Sequence, residues 1–125
     1  MQRYFPSEGF GVDGLTVGNT GTNVRFRRPV GEVTLVNTSA AAVYFVINKL
    51  VSDAGVESDT PSGFSDDRVG EATVAQALAE ALYLPANGTL TIKGPIDSIH
   101  GRRGIASLWL YCATSAVIKG GSTGL

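Results

Sequence analysis

Two strand-like runs, Leu-Pro-Ala-Asn-Gly-Thr-Leu-Thr-Ile at 84–92 and Gly-Ile-Ala-Ser-Leu-Trp-Leu-Tyr-Cys at 104–112, constrain this chain more than any other feature. In the first, Asn87-Gly88 is a strong turn signal because both residues tolerate positive φ. Beyond it Leu90 and Ile92 point one way, Thr89 and Thr91 the other. In the second run Ala106, Leu108, Leu110 and Cys112 share one face, and Ile105, Ser107, Trp109 and Tyr111 share the opposite face. A period of two is the signature of a strand. The Leu108 face is assigned to the core. Trp109 and Tyr111 then either pack under a covering element or stand exposed to hold a ligand or partner.

The same pattern recurs upstream. Val24 and Phe26 alternate with Arg25 and Arg27 before Pro29, which is expected to stop the run or confine it to a sheet edge. Residues 32–37 and 43–51 follow as two strands joined by Thr38-Ser-Ala-Ala-Ala, an arrangement that suggests a hairpin. In the second of these, Val43, Phe45, Ile47 and Val51 lie on one face, and Tyr44, Val46, Asn48 and Leu50 on the other. With apolar residues on both faces, something must cover the second. The candidate cover is an insertion at 52–83, whose residues 72–83 form the one convincing helix. Val74, Leu78 and Leu82 make an apolar stripe there, with Ala75 beside them, and Asp66, Asp67 and Glu71 are expected to act as N-terminal charges on its dipole.

Sixteen glycines in 125 residues suit a protein built from tight turns more than one built from helices. The fold class expected is therefore mainly β: an antiparallel, jelly-roll-like β-sandwich with one short helix. One domain is expected at 24–119, preceded by an extended arm at 1–23 and followed by a flexible tail at 120–125. The arm carries Tyr4, Phe5, Phe10, Val12, Leu15 and Val17, too many large apolar groups for a flexible linker, so it is read as ordered on its own domain or on a neighbouring subunit.

A formal charge of −1 gives no global attraction to nucleic acid or to an acidic membrane, and neither is expected as a partner. The charge is unevenly spread: residues 53–80 hold seven carboxylates against Arg68 alone, while basic residues flank the segment. A single Cys and a single His give no zinc-ligand spacing, and the acidic segment lacks the ligand register of an EF-hand. No phosphate-binding glycine loop, nucleophile elbow or dinucleotide fingerprint occurs, so no cofactor and no catalytic residue is expected. Cys112 reads as a small buried hydrophobe. Neither a signal peptide nor a membrane-spanning segment is read from the sequence.

A hairpin at 32–51, an insertion with one helix, then Leu-Pro-Ala-Asn-Gly-Thr-Leu-Thr-Ile leading through Gly101-Arg-Arg-Gly104 to an apolar strand resemble the small β-sandwich virion proteins of tailed bacteriophages, over residues 30–118. The resemblance implies a non-enzymatic virion protein made in the host cytoplasm, of the capsid decoration or cement type. Its partners would be the major capsid protein or other virion proteins and further copies of itself, with a trimer among the states left open. Tyr4, Phe5, Phe10, Arg25, Arg27, Arg102 and Arg103 are the expected interface residues. Two alternatives are carried beside it: a connector or tail component, and a carbohydrate- or receptor-binding module in which Tyr83, Trp109 and Tyr111 form a stacking platform.

Overall fold

The computed structural model describes residues 2–5, 14–51, 69–94 and 104–124. Its elements are β1 (Gln2–Phe5), β2 (Leu15–Gly18), β3 (Thr22–Asn37), β4 (Val43–Ile47), β5 (Lys49–Val51), β6 (Gly70–Ala72), α1 (Val74–Glu80), β7 (Leu82–Leu84), β8 (Thr89–Lys93), β9 (Ile105–Tyr111) and β10 (Ser115–Gly124). The chain is mainly β, with one large, mostly antiparallel sheet and one short helix.

β3 organises the sheet. Its N-terminal half pairs with β1 in parallel and with β9 antiparallel; its C-terminal half pairs antiparallel with β8 and β10. Between Arg25 and Val30 the register against β9 shifts, because five steps along β3 match only two along β9. Pro29 falls inside this irregularity. It does not end the strand as the sequence suggested, since a bulge is one of the few places where a missing N–H breaks no ladder bond.

Residues from both halves of the sheet converge on one sandwich-like core. Leu15 and Val17 of β2, Val24, Phe26, Val33 and Leu35 of β3, Phe45 of β4, Leu108 and Leu110 of β9 and Ile118 of β10 all belong to it. Burying each such side chain is worth about 1.5–3 kcal/mol. Leu90 and Ile92 of β8 pack against this core while Thr89 and Thr91 are exposed, as their alternation requires. Ile105 departs from the sequence reading: it joins Leu108 and Leu110 in the core instead of facing outward with Trp109.

The expected hairpin between 32–37 and 43–51 does not form. The order β2-β10-β3-β9-β4-β7 places β9 between β3 and β4. Hydrogen bonding of Asn37 explains the local path: Nδ2 donates to Ala41 O at 2.8 Å and Pro85 O at 3.2 Å, while Oδ1 accepts from Ser39 N. The link is thus tied to the Pro85–Gly88 turn, which closes through Gly88 N–H to Pro85 O at 3.0 Å with Asn87 at φ 56°.

At the two ends of the chain the outcome differs: the first agrees with one of the two readings of the arm, and the second departs from expectation. Within 1–23, β1 pairs with β3 and β2 pairs with β10, so these parts lie on their own domain, and Leu15 and Val17 are core residues. At the other end, residues 120–124 are not a frayed tail but the end of β10, paired with β3 from Leu35 to Val30.

A candidate binding face on β7, β4 and β9

The 43–51 run is split by Asn48, whose φ of 56° breaks the strand. Its side chain and carbonyl together tie this junction to β9 and β6. Oδ1 accepts from Ala106 N at 2.8 Å and Ser107 N at 3.3 Å, Nδ2 donates to Gly104 O at 3.2 Å, and its carbonyl accepts from Gly70 N at 2.9 Å. β5 then turns to pair in parallel with β6. Asn23 completes the fixing: buried in β3, it donates to Val51 O at 2.8 Å and accepts from Val51 N at 3.0 Å, acting as one rung of a sheet.

This path brings α1 over the outer face of β4 and β9. Val46, Val51, Ala72, Ala77 and Trp109 form a second, smaller core, with Val74, Leu78, Ala81 and Tyr111 packed against it. The expectation that the insertion covers the second face is met by the helix, over a shorter span than 72–83. Leu82 is 58% exposed in β7, not part of the helical stripe, and Ala75 is exposed.

The cap also differs from expectation. Thr73 is the N-cap, accepting from Gln76 N at 3.2 Å while Gln76 Oε1 accepts from Thr73 N at 2.9 Å, a reciprocal capping box. No acidic residue lies in the first turn; Glu71 is in β6, and Asp66 and Asp67 fall outside the described residues.

Trp109 is 1% exposed and is therefore no ligand platform. It stacks on Tyr111 with ring centroids 5.5 Å apart, and Gly21 lies directly against its indole. Tyr111 and Tyr83 do share a face, through a residue the sequence reading did not single out. Tyr44 of β4 is the register partner of Tyr83 on β7 and of Tyr111 on β9. The three tyrosines form a cross-strand row, with Tyr83 56% and Tyr44 36% exposed and their rings 5.7 Å apart, tilted by 56°. The signal for Tyr44 was present in the sequence: it alternates with Phe45 and shares the face of Val46.

Of the expected interface residues, only Arg25 has a described side chain. Arg25 is fully buried, and so cannot touch a partner; as the register partner of Ser107 it lies inside the sheet. Tyr4 and Phe5 lie in β1, and Arg27 lies in β3 near the register shift. Phe10, Arg102 and Arg103 lie outside the described residues, as does most of the acidic segment.

Among the described residues no group of three or more His, Cys, Asp or Glu side chains could hold a metal ion, and no helix is long and apolar enough to cross a membrane. Cys112 is buried, its Sγ 3.7 Å from Thr114 Oγ1. In comparison with known proteins, no family model, no curated protein and no solved structure matches this chain.

Proposed function

We propose that this chain is a non-enzymatic structural component of a virion, of the capsid decoration or cement type, which binds the shell of major capsid protein and stabilises it. The jelly-roll strand arrangement and the self-association implied by the phage resemblance belong to the same proposal.

One observation supports the structural reading above the others. The amides of Asn23, Asn37 and Asn48 all hydrogen-bond to the main chain, pinning strand ends and connections rather than lining a cavity. Fixed strand ends and connections suit a static structural part. Such networks specify one packing when every polar atom is satisfied.

The extended-arm route to the capsid is modified by the fold. Since Leu15 and Val17 are core residues, deleting residues 1–20 would remove part of the core and damage the domain together with any interface. The test is therefore made on intact particles. Quantitative mass spectrometry of purified virions carrying this gene is expected to find the chain in copy number comparable to the major shell protein. A few copies per particle would replace decoration with a connector or tail role, and complete absence from particles would overturn the proposal.

A further inference from the structure

α1 roofs only part of the outer face of β4 and β9. It covers Val46 and Trp109, and two residues along each strand the face continues as Tyr44 and Tyr111, extended by Tyr83 on the terminal strand β7. We propose that this Tyr83–Tyr44–Tyr111 row is a binding site for a neutral saccharide.

Charge selects the class of ligand. The positions two residues to either side of the tyrosines are Ala81 and Pro85, Ala42 and Val46, Trp109 and Ala113, all uncharged. Among these described positions no charge is present to pair with phosphate, sulfate or a charged peptide. The face offers aromatic rings, whose electron-rich faces attract polarised C–H groups, and phenolic hydroxyls that both donate and accept. A pyranose presents the complement: a C–H face and a rim of hydroxyls.

Area separates this ligand from a second copy of the chain. With Tyr83 56% and Tyr44 36% exposed, the two rings offer on the order of 200 Å², against roughly 800 Å² per partner in a stable protein interface. The two rings alone do not make a dimer interface, and they match the size of one or two sugar rings. The spacing agrees: centroids 5.7 Å apart are close to the advance of one pyranose unit along a chain. The two rings are tilted by 56°, so they do not form one flat plate.

One end of the row, Tyr111, is held in place. Tyr111 stacks on Trp109, which is held between Gly21 and the small core beneath α1. A ring already held in place loses less freedom on binding.

The experiment is calorimetric titration of the full chain with neutral oligosaccharides of glucose, galactose and N-acetylglucosamine, beside sialylated and sulfated counterparts. At least one neutral series is expected to bind saturably. Tyr83→Ala and Tyr44→Ala should each weaken it by about tenfold, whereas Tyr83→Phe, which keeps the ring, should stay within about threefold. Circular dichroism would verify that these variants fold. The proposal is overturned if no neutral sugar binds at about 10 mM, a free energy too weak to be a site. Equally, it fails if charged sugars bind better, or if both alanine variants bind as the parent does. Sedimentation showing a mass that rises with concentration and falls back with Tyr83→Ala would assign the row to self-pairing instead. Particle copy number is independent of all these outcomes, so this inference and the virion proposal can fail separately.

Discussion

The two faces of the β4–β9 pair are covered by different means. On the inner face Phe45, Leu108 and Leu110 meet residues of β2, β3 and β10, and all three are fully buried. On the outer face the cover is a helix of seven residues, whose only fully buried member is Ala77. Seven residues of helix span about 10 Å. Val46 and Trp109 fall under it; Tyr44 and Tyr111, two residues further along their strands and thus about 7 Å away, extend past it. The inner core draws on residues of many strands, whereas a short helix buries a patch. The residue types follow that difference: aliphatic and Phe side chains inside, tyrosines where the cover ends.

The largest expected effect tests the inner face. Phe45→Ala should cost about 3–5 kcal/mol in chemical denaturation, through lost transfer energy plus the cavity left in a packed core. Leu78→Ala, on the partly buried side of α1, should cost only about 1 kcal/mol, since less apolar area leaves water. Equal losses from the two would break the distinction between a continuous core and a local cover.

Gly21→Ala comes next and probes how tightly the outer patch is held. Gly21 has φ 72°, and a Cβ there would come within 2.7 Å of Trp109 Cε2 and Cζ2. Backbone strain and displacement of a buried indole should together cost about 2–3 kcal/mol. The fluorescence of Trp109, the sole tryptophan, should shift to the red. An unshifted spectrum would mean that the indole is not locked by Gly21.

A smaller effect is expected at the start of the helix. Thr73→Ala removes the oxygen that accepts from Gln76 N, and should cost about 1 kcal/mol. If the outer patch is local, the loss should appear as faster amide exchange in α1 while β9 stays protected, because protection follows local opening as well as global unfolding. Equal loss of protection in β9 would make helix and sheet one cooperative unit.

How much of this was legible in the sequence depended on the range of the interaction. Alternation fixed the faces of β8 and most of β9, and apolar residues on both sides of 43–47 called for a cover, which the helix provides. The T-x-x-Q capping box at Thr73 was readable too, but the nearby carboxylates drew the reading toward Asp66, Asp67 and Glu71. The hairpin failed because β9, more than fifty residues downstream of β4, pairs between β3 and β4, and periodicity says nothing about which strands are neighbours. Arg25 looked like a surface charge because Arg rarely lies in a core; its full burial depends on the tertiary arrangement. Tyr44 was missed as a site residue for the converse reason. Its face was readable, but not that Tyr83 and Tyr111 would flank it in register.

The smallest effect is expected to have the opposite sign. Ser107 lies on β9 two residues before Trp109 and is fully buried; its N–H donates to Asn48 Oδ1 at 3.3 Å and its carbonyl accepts from Asn48 N at 2.9 Å. Those bonds belong to the main chain and survive side-chain replacement. Its Oγ is buried without a hydrogen-bond partner among the described residues. Burying an unpaired hydroxyl costs about 1–3 kcal/mol, and Ala fills nearly the same space without that penalty. Ser107→Ala should therefore leave stability unchanged or raise it by about 1 kcal/mol, by the same denaturation measurement. A loss of more than about 1 kcal/mol would mean that the hydroxyl makes a bond stabilising the strand that carries Trp109 and Tyr111. In that case the outer face would depend on polar side-chain bonding along β9, not on main-chain bonds and helix packing alone.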